Sequence, residues 1–209
     1  HGATEDIRAV IEHALTKKYV TVVLVGFSMG GSLSLKYLGE NGNDLAPAIK
    51  GGAVFSVPCD LGSSARELDK PSRSFYRNRF LRKLEKKIRA KEQRFPDIIS
   101  AKDFEKIKTF EAFDNRYTAP LHGFKNAADF YQQASSGNYL RDIKKPVLIV
   151  NAENDPFLPP TCYPIDLAKK HADVHLEIPK RGGHVGFSLG GRIENWMELR
   201  AFDFLSAVV

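Results

Sequence analysis

The sequence predicts an α/β fold, a mostly parallel sheet flanked by helices with a helical cap inserted between strands. Three observations carry that expectation. Short apolar runs (Val20–Val25, Gly51–Val57, Pro146–Val150 and Val174–Ile178) alternate with helical patterns, as parallel strands joined by crossovers do. Val20–Val25 is apolar on both faces, the pattern of a strand covered on both sides. From Asp60 to Leu140 no such run occurs, and the segment reads as several helices.

In chain order, Thr4–Leu15 is the first helix. Thr4 is its candidate cap, Glu5 and Asp6 sit in its first turn, and Ile7, Val10, Ile11, Ala14 and Leu15 form one apolar stripe. The strand Val20–Val25 runs straight into Gly26-Phe27-Ser28-Met29-Gly30. A helix continues over Ser32–Leu38 and stops near Gly39 or Gly42. The longest helix of the cap spans about Pro71 to Arg94. Helix Cys162–His171 separates the last two strands. A final helix, Ile193–Val208, places Trp196, Leu199, Phe202 and Leu205 on one stripe. The chain therefore divides into core residues 1–59, cap residues 60–140 and core residues 141–209.

At 209 residues the chain is long enough for one domain with a real core. Hydrophobic residues make up 43% and charged ones 27%, the balance of a soluble globular protein. No run approaches the ~20 apolar residues of a membrane span. Cys59 and Cys162 lack metal-ligand spacing and make no disulfide framework, which fits reduced thiols of a cytoplasmic protein.

The Gly-x-Ser-x-Gly run carries the chemistry. Placed between a strand and a helix, it is a nucleophile elbow that holds Ser28 in a strained turn with its hydroxyl projecting from the sheet. Gly26 and Gly30 are expected where a side chain would collide with a neighbouring element, and Gly31 extends that close packing. Ser28 also sits at a helix N-terminus, where free N–H groups favour developing negative charge. The Met29 amide is one such oxyanion donor.

An activated serine needs a base, and the base an orienting acid. After Pro146–Val150 comes Asn151-Ala152-Glu153-Asn154-Asp155-Pro156-Phe157. Asp155, in the tight turn before Pro156, is the favoured acid; Glu153 and Asp60 are the runners-up. An Asx turn is the competing explanation for Asp155. After Val174–Ile178, His184 lies in a loop with two glycines before it and one behind. His171, His175 and His13 read as surface residues. His122, inside the cap, is a candidate for the substrate channel or for a structural hydrogen bond. Phe27 and Phe157 are further candidate substrate contacts.

GFSMGG followed by LKYLGE, then FDNRYTAPLHGF, PVLIVNAENDPFLPP and GGHVGF, resembles the YheT-like group of α/β-hydrolases, from about residue 2 to the final helix. The resemblance implies an α/β-hydrolase fold, no metal or cofactor, and a Ser28–Asp155–His184 triad performing esterase or lipase chemistry on a small-molecule or lipid ester. Ser32 departs from the asparagine common in that position. A larger departure lies at the front, where the fold places several strands and a helix before the nucleophile strand. Here one helix precedes it, so the chain is expected to be the C-terminal two-thirds of a longer hydrolase. The second oxyanion donor is expected in the missing part, and His1-Gly2 is not expected to supply it.

Ten basic residues lie on or near one cap helix: Arg73, Arg77, Arg79, Arg82, Lys83, Lys86, Lys87, Arg89, Lys91 and Arg94. Phe80, Leu81, Leu84 and Ile88 give that helix its apolar stripe. A solvated face is one reading; weak attraction to an anionic membrane surface, or to acidic substrates, is the other. No nucleic-acid module accompanies the charge. A serine hydrolase of carboxylic esters is the leading functional expectation. Acyl transfer or thioester hydrolysis on the same triad, or a non-catalytic membrane or binding protein, are the alternatives.

Overall fold

The computed structural model describes residues 4–191 and 193–209. His1 and Gly2 therefore lie outside the described residues. The sheet has four parallel strands in sequential order: β1 (Val22–Phe27), β2 (Ile49–Phe55), β3 (Val147–Val150) and β4 (Val174–Glu177). Each crossover starts at one end of the sheet and returns to the other, so all four strand C-termini share one edge.

Helices cover both faces. On one side α1 (Glu5–Thr16) and α2 (Met29–Asn41) pack Ile11, Leu35 and Leu38 against Val54, Ile149 and Val147. On the other, α9 (Trp196–Ser206) sets Met197, Ala201 and Leu205 against Ala53, Phe55 and Leu148. Several expectations change here. Thr4 does not cap α1 with its side chain; its hydroxyl donates to Glu40 Oε2 at 2.6 Å, and Val10 faces solvent. The buried row of α9 runs through Met197, Ala201 and Leu205, while Leu199 and Phe202 are exposed. The helix begins at Trp196, capped reciprocally by Asn195 and Glu198, and this start sets which row meets the sheet.

Nor is β1 covered on both faces. Val22 and Leu24 pack into the α1–α2 side and Val23 into the α9 side, but Val25 is 47% exposed. The reason is that α9 lies over β2 and does not extend across β1 beyond Val23. The expected helix Cys162–His171 shrinks to a 3₁₀ turn at Pro160–Cys162 and the single turn α8 (Ile165–Ala168). Pro164 removes a helical donor and pushes Tyr163 into an extended conformation, φ −111° and ψ 98°.

Between β2 and β3 the chain forms the helical segment: α3 (Leu61–Asp69), α4 (Ser74–Arg94), α5 (Phe110–Phe113), α6 (Ala119–Leu121) and α7 (Ala127–Ala134). A π-helical turn, Asp114–Thr118, joins α5 to α6. Phe104, Phe113 and Tyr117 form an aromatic cluster with Leu81 and Ile88 of α4. Among the described residues no helix is long and apolar enough to cross a membrane. Cys59 and Cys162 are both free and buried, and burial pushes each thiol up to about 12.

Candidate active site

Ser28 sits between β1 and α2 with φ 51° and ψ −119°, a strained conformation for a residue with a side chain. Its N–H still donates to Phe55 O at 2.8 Å, so the ladder holds the turn to the last residue. Gly26 makes the turn possible. A Cβ there would lie 2.7 Å from Gly30 O and from the Gly31 backbone; one on Gly31 would lie 2.7 Å from Val57 Cγ2. Gly30 is different from the expectation: a Cβ there meets nothing within 4 Å. Clearance does not require that glycine, because position 30 of α2 faces open space. Met29 opens the helix, where first-turn N–H groups have no intrahelical acceptor.

The loops after β3 and β4 bring Asp155 and His184 to the same edge of the sheet. His184 Nε2 lies 2.9 Å from Ser28 Oγ, and His184 Nδ1 lies 2.9 Å from Asp155 Oδ2. A carboxylate facing Nδ1 fixes the proton there and leaves Nε2 to accept from the serine hydroxyl. The Asp155 side chain is wholly buried. Its other oxygen accepts from the Phe157 N–H at 2.9 Å, so the Asx turn and the histidine contact use one oxygen each. Of the runners-up, Glu153 is exposed. Asp60 caps α3, accepting from Ser63 N–H at 3.0 Å and Ser63 Oγ at 2.5 Å. Burial raises the Asp60 pKa, but these bonds outweigh it and hold the carboxyl below its usual range.

Residues that the sequence did not single out fasten these loops. Asn154 Oδ1 accepts from both Gly182 N–H and Gly183 N–H, at 3.0 and 2.9 Å. Ser56 Oγ accepts from Val185 N–H at 3.1 Å. Ser56, directly after β2, and Val185, in the histidine loop, both have positive φ, 54° and 55°, so the backbone is strained at each end of that bond. Asn151 accepts from Val57 N–H and donates to Val57 O and Cys162 O, tying the ends of β2 and β3 together. Polar residues immediately after apolar strands were the available signal. Their partners lie far away in sequence, and no local pattern names those.

Over Ser28 and His184 opens a cleft of about 720 Å³, counting its mouth. Its walls include Leu61 and Leu68 of α3, Phe80 and Leu84 of α4, Phe130 of α7, and Phe157. Phe157 packs on the His184 ring, centroids 4.5 Å apart. Phe27 is placed elsewhere: it stacks on Phe55 at 5.6 Å and does not line this cleft. Its stacking partner Phe55 belongs to the cluster on the α9 side of the sheet. His122 is exposed beyond α6 and is also absent from the lining. The polar wall is instead Asp114, which accepts from Thr118 Oγ1 at 2.5 Å and Tyr131 Oη at 2.7 Å. Burial raises the Asp114 pKa above its ordinary 3.8, and burial beside that acid raises the Tyr131 phenol.

A serine, a histidine and an aspartate in line at the C-terminal edge of a parallel sheet, below a helical segment, define the α/β-hydrolase class of architecture. The family model for the alpha/beta hydrolase fold matches residues 3–191, and the chain belongs to that family, within its YheT-like group. It is 32% identical to mouse (Mus musculus) phospholipase ABHD3 over 90% of this chain and 46% of that relative. It is 30% identical to YheT of Escherichia coli, named as an esterase, over 87% and 54% respectively. With the monoacylglycerol lipase of Saccharomyces cerevisiae it shares 33% identity over 89% and 42%. The chain thus spans about half the length of these relatives. Among solved structures, an esterase of Pyrococcus furiosus superposes with a TM-score of 0.55 at 17% identity, covering 98% of this chain and 61% of the other. An acylaminoacyl peptidase of Pyrococcus horikoshii gives 0.54 at 17%, covering 98% and 27%. Both likenesses concern the fold alone.

Proposed function

We propose that this chain carries the catalytic residues of a serine hydrolase that cleaves carboxylic esters with apolar acyl groups. The single observation behind this reading is the continuous hydrogen-bond line Ser28–His184–Asp155 beneath an apolar cleft. Relatives named phospholipase, esterase and monoacylglycerol lipase support the substrate class.

His184 Nε2 takes the proton as Ser28 Oγ bonds to the ester carbonyl carbon. The carbonyl oxygen becomes an oxyanion facing the Met29 N–H at the start of α2. Asp155 stabilises the imidazolium and keeps its orientation. Collapse of the tetrahedral adduct breaks the bond to the leaving alcohol, which takes the proton from His184. Water, deprotonated by His184, then attacks the acyl-enzyme; the acid leaves and Ser28 regains its proton. The acyl chain lies along Leu61, Leu84 and Phe130. Contact of the basic helical segment with an anionic membrane surface belongs to the same reading, since lipid esters reside at such surfaces.

Fluorophosphonate labelling followed by mass spectrometry tests this. An adduct on Ser28, absent in Ser28→Ala and lost in His184→Ala, is the expected result. Folded full-length protein that takes no label would overturn the reading in favour of a non-catalytic protein with this fold.

A further inference from the structure

The charge of this protein is gathered on one helix. Helix α4 holds nine of the 31 Lys and Arg residues and two of the 25 Asp and Glu residues. Its net +7 exceeds the +6 of the whole chain, so everything else together is slightly acidic. The two glutamates are already engaged. Glu85 pairs with Arg89 at 2.7 Å, and Glu92 accepts from the Ala101 N–H at 2.9 Å. Arg79, Arg82, Lys83, Lys86 and Lys87 have no acidic partner within 4 Å among the described residues.

The placement of apolar side chains on α4 is equally uneven. Leu81 and Ile88 are buried and anchor the helix. On the opposite side Phe75 begins a row with Arg79, Arg82 and Lys86, spaced as neighbours along one helical face. Phe75 is 71% exposed, and with Arg79 and Arg82 it lines a shallow surface hollow. Between the buried and basic sides runs the row Tyr76, Phe80, Leu84, at i, i+4 spacing. Phe80 and Leu84 line the cleft. Aromatic contacts lead from that surface to the histidine without a break. Phe75 meets Tyr76 at 5.6 Å, Tyr76 meets Phe157 at 4.9 Å, and Phe157 meets His184 at 4.5 Å.

We infer that α4 seats the protein on an anionic lipid surface, and that Tyr76 and Phe80 form the port through which an acyl chain passes from that surface to Ser28. Cationic side chains alone would suit any polyanion. The lipid surface is favoured because the exposed aromatic row lies beside the charge and continues into the cleft; aromatic side chains with basic neighbours partition into the headgroup region. This inference rests on the ester-hydrolase reading for its substrate, and the docking surface is testable without it.

The test uses full-length protein carrying Ser28→Ala, so that lipid is bound and not consumed. Binding is measured to phosphatidylcholine vesicles with and without about 30% phosphatidylglycerol, where each cation near the surface contributes roughly fivefold in affinity. Tighter binding to the anionic vesicles, weakened by salt, is expected. The triple variant Arg79→Gln, Arg82→Gln, Lys86→Gln is expected to bind them about 100-fold more weakly. With Ser28 restored, that variant should turn over a water-soluble short-chain ester at the parental rate. Equal binding to neutral and anionic vesicles, or a triple variant that binds as tightly as its parent, overturns the docking surface. So does preference for a DNA oligonucleotide over anionic vesicles in competition. Vesicle binding as expected, in protein whose Ser28 takes no fluorophosphonate, keeps the docking surface and removes the hydrolase reading.

Discussion

In the sheet, every side chain of the hydrogen-bonded line stands a few residues beyond the end of a strand: Ser28 after β1, Asp155 after β3 and His184 after β4. In the helical segment, the cleft-facing residues come from α3, α4, α5, the π-helical turn and α7, with no common position in any repeat. The sheet's parallel hydrogen bonding places its strand ends together whatever the intervening sequence, so local motifs there carry spatial meaning. The helical segment has no such frame. Its wall is fixed by long-range contacts such as Phe110 N–H to the Asp69 carboxylate at 2.9 Å and Tyr131 to Asp114. Residues of the first kind announce themselves by spacing; residues of the second kind are assembled by packing.

The sharpest way to break this comparison is Asp155→Asn. Asparagine can keep the turn bond from Phe157 N–H, but it no longer fixes the histidine tautomer. Ester turnover should fall by about 10⁴-fold with folding retained. A loss below tenfold, measured with a soluble ester, would mean that the turn is the role of Asp155.

Two glycines of the elbow offer the next contrast. Gly26→Ala forces a Cβ against backbone atoms at 2.7 Å and should cost about 3 kcal/mol in urea unfolding. Gly30→Ala meets open space inside a helix and should be neutral or up to ~1 kcal/mol stabilising. Equal effects would show that the tight packing does not discriminate between the two positions.

The smallest effect concerns the polar wall of the cleft. Asp114 has a raised pKa in the fold, so over a window starting near 3.8 the folded state keeps a proton that the unfolded state has released. Its contribution to stability is present at low pH and is lost as pH rises through the folded value. Asp114→Asn has no proton to lose, and its unfolding free energy should decline less between about pH 4 and pH 7. Superimposable pH profiles of the two proteins would remove burial of Asp114 as a cost.

Much of the sheet was legible because alternating apolar runs and turn residues are local properties. The strand boundaries still shifted by a few residues: β1 begins at Val22, not Val20, and β2 at Ile49, not Gly51. Backbone pairing, not hydrophobicity, decides where a strand starts. Helix 162–171 failed because Pro164 outweighed the apolar pattern around it. The stripe of α9 failed because helical periodicity offers several rows, and the asparagine cap selected the one that meets β2. Phe27 adjoins the elbow in sequence, and His122 lies within the motif of the helical segment. Neither lines the cleft: one stacks on Phe55, and the other lies past the end of a three-residue helix.

The sequence by itself determined the alternation of strand and helix, the elbow around Ser28, and the loop positions of Asp155 and His184. Each depends on interactions within a few residues: backbone strain tolerated by glycine, turn-forming side chains, and apolar runs long enough for one strand. Only the tertiary structure decided that Asp155 and not Glu153 or Asp60 meets His184, that Asn154 and Ser56 hold the histidine loop, and that Asp114 and Tyr131 close the cleft. Those choices rest on hydrogen bonds between residues far apart in the chain, whose geometry exists only once the sheet and the helical segment have packed together.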